Sequence, residues 1–128
     1  LNQLAHTYMQ SRNDTYVMEL AIQYIRRNYP KPITLAMVSN EVSLNYAYFS
    51  TMFSRYTGKT FSEYLRNTRM EKAKELLRQP DISIAEVAAQ VGYENYKSFY
   101  RAFKDAVGTT PVEYQQKKYR IHREDEKQ

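Results

Sequence analysis

The sequence predicts an all-α fold of seven helices in which two helix-turn-helix units stand in tandem, joined by a longer linker helix. Three observations carry that prediction. Apolar residues recur at helical spacing almost throughout, without strand-like alternation. The pairs Thr60/Glu63, Ser83/Glu86 and Thr110/Glu113 have the S/T-x-x-E spacing at which side chain and backbone satisfy each other's unpaired donors at a helix start. The chain also repeats itself. At an offset of 49, Ile33, Ala36, Val38 and Val42 match Ile82, Ala85, Val87 and Val91. At an offset of 50, Tyr46, Phe49, Phe53, Gly58, Thr60, Glu63 and Tyr64 match Tyr96, Phe99, Phe103, Gly108, Thr110, Glu113 and Tyr114. The offset changes in the predicted turn, so a short helix, a tight turn and a second helix occur twice.

Taken in order, the first helix is expected over 15–29, with Val17, Leu20, Ala21, Tyr24 and Ile25 on one face and Pro30 and Pro32 ending it. Residues 1–14 read as a linker or N-terminal extension. The second helix is expected over 34–42, capped by Thr34, and the third over 46–57, with Phe49, Met52 and Phe53 inward and Gly58 as a left-handed C-cap. The linker helix, over 60–78, follows Phe61, Tyr64, Leu65, Thr68, Ala73, Leu76 and Leu77 and stops before Pro80. A fifth helix is expected over 83–91, capped by Ser83, with Gly92 in the turn behind it. The sixth, over 96–107, turns Phe99, Ala102, Phe103 and Val107 inward and ends at Gly108. Pro111 opens the seventh, over 111–119, after the cap Thr110. The domain thus covers 15–119, with its two units at about 34–57 and 83–107, and 120–128 form a charged tail.

Composition removes several classes of function. The 128 residues suffice for one small domain or two very small ones sharing a core, and they hold no apolar run long enough to cross a membrane. There is no cysteine, hence no disulfide framework, zinc ribbon or thiol chemistry, and the start shows no leader pattern; a cytoplasmic chain is expected. His6 and His122 lie at opposite ends without ligand spacing, so no metal is expected. Without a glycine-rich phosphate loop or a G-x-S-x-G elbow, neither an enzyme nor a cofactor site is expected. The tyrosines at helical spacing, among 13 in all, read as core rather than as a nucleotide-stacking stripe.

The net charge of +5 suits a phosphate-bearing partner, and the excess is concentrated in 59–80, where six Lys/Arg face three Glu. In a helix-turn-helix the second helix buries one face and offers the other, near its N-terminus, to a major groove. In the second repeat that outer face carries Lys97, Ser98, Arg101 and Lys104. Arg101 can present two donors to guanine O6 and N7, Lys97 can do so as a point charge, and Ser98 reaches a base edge or a phosphate. The first repeat offers Tyr46, Ala47, Tyr48, Ser50 and Thr51, then Arg55, a face with little charge. Ala47 and Thr51 suit thymine methyls, Ser50 and the Tyr48 hydroxyl suit base edges or phosphate, and Arg55 suits the backbone. Phosphate contacts are further expected at Thr34 and Ser83, which cap helices whose N–H groups point outward, and at Lys59, Arg66, Lys72 and Lys104. Arg69 lies nearer the apolar face of the linker and is expected to pair with a carboxylate at the edge of the core.

These residues resemble a known family. Ile84-Ala85-Glu86-Val87-Ala88, Gly92-Tyr93, Ser98-Phe99, Arg101, Phe103-Lys104, Gly108, Thr110-Pro111 and Tyr114 resemble the second helix-turn-helix signature of the AraC/XylS family of bacterial transcription regulators. Arg69, Ala73, Leu76 and Leu77 resemble its linker-helix pattern, and the similarity covers roughly 17–118. The resemblance implies a seven-helix domain whose DNA contacts fall at Ala47, Ser50 and Thr51, then at Lys97, Ser98 and Arg101. It implies double-stranded DNA and RNA polymerase as partners, and an upstream sensor or receiver domain outside these residues. Three positions depart from the pattern: Thr51 stands where many relatives are basic, Ser39 where the first unit often has alanine, and Gln115 where arginine commonly follows the last tyrosine. A linker of about 19 residues spans on the order of 28 Å, against about 34 Å between successive major grooves, so one chain is expected to reach both grooves of an asymmetric site and to bend the duplex. A helical module that binds another regulator instead of DNA is the alternative reading, favoured by the weak charge of the first unit.

Overall fold

The computed structural model describes residues 2–118, with side chains from Asn13 onward. Seven helices and no strand are found among them: α1 (Asn2–Asn28), α2 (Leu35–Glu41), α3 (Tyr46–Thr57), α4 (Phe61–Leu76), α5 (Ile84–Gln90), α6 (Tyr96–Val107) and α7 over 111–118. The tail expected at 120–128 lies outside the described residues, and so do residue 119 and the side chain of His6.

The largest departure from expectation is at the start. α1 begins at Asn2 rather than near residue 15. No proline or glycine interrupts the chain before Pro30, and once packing has nucleated a helix each added residue gains a hydrogen bond without a new nucleation cost. The buried face of α1 is also turned by about one position. Met18, Ala21, Ile22 and Ile25 are buried, whereas Leu20 is 38% exposed and Val17 and Tyr24 are half-buried. Both sets satisfy the helical period, and tertiary packing selects between them.

Backbone contacts divide the chain into two compact units, one made of Leu1–Asn28 and Pro32–Leu65, the other of Tyr29–Lys31 and Arg66–Gln128. α4 therefore gives its first residues to the first unit and the remainder to the second. In the first unit, Phe49 and Phe53 of α3 are fully buried together with Met18, Ile25 and Val38. Phe53 organises the aromatic contacts, with ring centroids 5.6 Å from Phe49, 6.1 Å from Phe61 and 5.3 Å from Tyr64. The last two meet edge-on, the arrangement the ring quadrupoles favour. In the second unit, Met70, Ala73 and Leu77 pack with Val87, Ala88, Val91, Phe99 and Phe103. Phe99 lies 5.7 Å from Tyr93 and 5.8 Å from Phe103, which in turn lies 5.6 Å from Tyr114. Met70 belongs to this core although the expected face of the linker helix omitted it.

The repeat holds at the level of single hydrogen bonds. The N–H of Leu44 donates to Ser39 O at 2.9 Å and that of Tyr93 to Ala88 O at 2.9 Å. Ser39 and Ala88 are equivalent and buried, small residues where the turn folds back on the helix. The Ser39 hydroxyl, the departure noted above, donates to Ala36 O at 2.9 Å and is satisfied inside its own helix. Ser43 and Gly92 are equivalent too, and both take positive φ, 57° and 101°. A serine occupies the first turn. The second leaves little room for a side chain, because a Cβ on Gly92 would lie 3.0 Å from Pro30 O and 3.1 Å from Tyr29 O.

All three S/T-x-x-E pairs form the hydroxyl half of the expected cap: the N–H groups of Glu63, Glu86 and Glu113 donate to the hydroxyls of Thr60, Ser83 and Thr110 at 3.2, 3.1 and 3.1 Å, while the Glu113 carboxylate accepts from the Thr109 hydroxyl at 2.9 Å. Thr34 caps α2 in the same way, accepting from the N–H of Met37 at 3.2 Å. Gln115, the third departure, donates its side-chain amide to Gln79 O at 2.9 Å and Ile82 O at 2.8 Å, which holds α7 to the α4–α5 connection.

Candidate nucleic-acid interface

Each unit presents its second helix outward, and the starts of those helices are fixed by residues that the sequence reading passed over. Asn45 Oδ1 accepts from the N–H of Ala47 at 3.0 Å and of Tyr48 at 3.2 Å, and Asn95 Oδ1 accepts from the N–H of Lys97 at 2.8 Å. Asparagine is a strong N-cap, and the pair stands at the offset of 50 found for the rest of the repeat. The caps set where each outer face begins.

On α6 the buried Phe99 and Phe103 fix the rotation of the helix, so Lys97, Ser98, Arg101 and Lys104 are exposed. Lys97, Arg101 and Lys104 line a recess of about 450 Å³ together with Tyr96, Tyr100 and Asp105. Helically spaced tyrosines are expected in the core. That holds for half-buried Tyr93 and Tyr114, whose rings pack on Phe99 and Phe103. It fails for Tyr96, which is 43% exposed, and for Tyr100, whose ring lies 6.2 Å from it in the same recess. Their spacing of four is helical, but it runs beside the phenylalanine stripe, between it and the face of Lys97 and Arg101, a distinction visible only once the buried face is known.

On α3 the outer face is less charged, as expected. Ala47, Thr51 and Arg55 are exposed and Ser50 is half-buried. The Thr51 hydroxyl donates to Ala47 O at 3.2 Å within the helix. Tyr48 is held from α1: its hydroxyl donates to Asp14 Oδ2 at 2.9 Å. One stripe further along, the Tyr56 hydroxyl donates to Glu19 Oε1, a bond that raises its pKa above the ordinary tyrosine value. α1 therefore supplies two carboxylates that steady the flank of α3.

The remaining cations are dispersed. Lys59 and Arg66 are exposed. Lys72 pairs with Glu75 at 3.6 Å, a contact between side chains that both face water and is weak for that reason. Arg69 corrects an expectation, since among the described residues it pairs with no carboxylate: its Nε donates to Tyr29 O at 2.8 Å and its Nη2 to Lys31 O at 3.0 Å, with the guanidinium carbon 5.6 Å from the Tyr93 ring centroid. Those carbonyls lie in the stretch broken by Pro30 and Pro32, outside any helix, where backbone acceptors need a donor from elsewhere. Among the described residues no group of three or more His, Asp or Glu is placed to hold a metal ion, and no helix is long and apolar enough to cross a membrane.

A family model described as a helix-turn-helix domain matches residues 38–117. The chain belongs to the AraC/XylS family. Among curated relatives of this AraC/XylS domain, it is 33% identical over 99 residues to the regulatory protein PocR of Salmonella typhimurium, covering 77% of this chain and 33% of that protein. Among solved structures, the C-terminal domain of the two-component response regulator yesN from Fusobacterium nucleatum is 37% identical with a TM-score of 0.72, covering 76% of this chain and 95% of that one. The C-terminal domain of AraT, a response regulator from Geobacillus stearothermophilus, is 34% identical with a TM-score of 0.76, covering 79% and 84%. The chain spans 13% to 36% of the length of the curated relatives it matches.

Proposed function

We propose that this AraC/XylS domain is the sequence-specific, double-stranded-DNA-binding output domain of a bacterial transcription regulator, with α3 and α6 as the helices that enter the major groove. One observation carries the reading: α6 exposes Lys97, Ser98, Arg101 and Lys104 within its first turns while Phe99 and Phe103 lock its other side. Hydrogen-bond donors held at a fixed rotation discriminate bases, because a wrong base leaves a donor unpaired. Arg101 supplies a bidentate fork for guanine, Lys97 a point donor beside it, Ser98 a base-edge or phosphate contact and Lys104 a phosphate contact.

α3 reads by shape and methyl contact through Ala47 and Thr51, with Ser50 at the edge and Arg55 on the backbone. Tyr48, whose hydroxyl donates to Asp14, is assigned to positioning rather than to a base. Lys59, Arg66 and Lys72 neutralise phosphates, and Thr34 and Ser83 present capped helix starts to them. Both reading helices engage one duplex. In the whole regulator an upstream sensor or receiver domain controls this module in the cytoplasm, RNA polymerase is its protein partner, and it performs no catalysis. The yesN and AraT domains, each the C-terminal domain of a response regulator, support that arrangement.

The test begins with selection of a site from a random duplex pool. On that site Arg101→Ala is expected to cost about 1 to 3 kcal/mol and to relax discrimination at one base pair, whereas Lys104→Ala flattens the salt slope by about one unit without changing base preference. Unchanged affinity and base preference in Arg101→Ala would refute the assignment.

A further inference from the structure

We infer that Arg69 is a positioning residue for the second reading helix, holding the turn that precedes α6 against the Tyr29–Lys31 segment. The inference rests on the proposed reading of α6 as a base-reading helix. Three contacts in the second unit converge on this guanidinium. Its Nε donates to Tyr29 O at 2.8 Å and its Nη2 to Lys31 O at 3.0 Å. Its carbon lies over the Tyr93 ring, 5.6 Å from the centroid. The turn also leaves little room beside the same group, since a Cβ added to Gly92 would lie 3.1 Å from Arg69 Nε.

The chain of contact then reaches the reading face. Tyr93 meets Phe99 edge-on with centroids 5.7 Å apart, and Phe99 is the first fully buried residue of α6. Lys97 lies two residues before it and Arg101 two after. A shift of Phe99 turns both donors together. Arginine suits the task because its planar fork serves two carbonyls at once while its face stacks on a ring, which a lysine ammonium cannot do. Burial pushes the Tyr93 phenol up, and the nearby Arg69 charge opposes that shift, which agrees with the two groups being in contact.

The experiment compares Arg69→Lys and Arg69→Gln with the unaltered chain on the selected site and on its single-base-pair variants, with Lys97→Ala, Arg101→Ala and Thr51→Ala marking which base pairs each helix reads. Amide hydrogen exchange of 93–97 is followed without DNA. Losing the fork is expected to reduce discrimination roughly tenfold at the base pairs marked by Lys97→Ala and Arg101→Ala, the scale of a hydrogen bond to a charged group. Discrimination at pairs marked by Thr51→Ala and the salt slope stay unchanged, and exchange at 93–97 quickens relative to α5. Tyr93→Leu, which removes the ring and keeps both carbonyl bonds, gives the same pattern where an Arg69 variant does not fold. Folded variants that keep the discrimination of the unaltered chain, or lose it equally at both sets of base pairs, overturn the inference alone. Absence of any base preference sensitive to Lys97 and Arg101 overturns the reading of α6 and the inference with it.

Discussion

Replacing Gly92 with alanine tests how tightly the turn of the second unit is built. The φ of 101° places a side chain in a region that costs roughly 1 to 3 kcal/mol for a residue other than glycine. The added Cβ also meets backbone oxygens at 3.0 Å (Pro30) and 3.1 Å (Tyr29), atoms that cannot swing away as a flexible side chain would. Such overpacking typically costs about 1 to 3 kcal/mol, and the smaller conformational entropy of the unfolded alanine chain returns about 0.4 to 1 kcal/mol. The net expectation is a loss of about 1 to 5.5 kcal/mol. Gly108→Ala is the control, because that glycine has a φ of 89° but nothing within 4 Å of the added Cβ. It should carry the same backbone strain and entropy return without the overpacking, a net loss of about 0 to 2.5 kcal/mol. Urea unfolding followed by far-ultraviolet circular dichroism reads both, with unchanged m-values confirming that the same surface is exposed on unfolding. A Gly92→Ala midpoint equal to or above that of Gly108→Ala would show that the turn yields, and the account of its close packing would be wrong.

Two further outcomes follow from the caps and from titration. Asn95→Ala removes the acceptor for the Lys97 N–H and is expected to cost about 1 kcal/mol; in hydrogen exchange the loss of protection should be confined to the first turn of α6, and a loss spread over the whole helix would contradict a capping role. The Tyr93 phenol is raised chiefly by burial, so the fold favours its neutral form. Its contribution to stability is complete below the ordinary tyrosine value of about 10 and is lost as the pH rises through the higher folded value. Melting of the unaltered chain against Tyr93→Phe should therefore give a constant difference below about pH 9 and a shift in favour of the phenylalanine variant above about pH 10. A difference that stays constant across that window would remove burial of the phenol as the cause.

Much of the architecture was legible because its signals are local. The pairs Thr60/Glu63, Ser83/Glu86 and Thr110/Glu113 act over three residues, and in each the hydroxyl accepts from the glutamate N–H as its spacing announces. Phe49/Phe53 and Phe99/Phe103 name the inward sides of α3 and α6 through the helical period, and the side opposite them carries the proposed contacts. Asn45 and Asn95 were also within reach, since asparagine one residue before an apolar-periodic run is a cap signal, and their place in the repeat would have strengthened it.

Local chemistry, then, dictated where helices start and stop, that the plan occurs twice, and which side of each second helix faces outward. The packed chain alone decided matters that join distant residues. Arg69 finds its acceptors 40 and 38 positions away, Tyr48 its carboxylate 34 away, and α1 chose Met18 and Ile22 over Leu20 for burial. The physical reason is common to all three. Helical period and capping are settled among neighbours within a turn or two, whereas the partner of a guanidinium, a phenol or an apolar edge is whichever group the fold brings within a few ångströms.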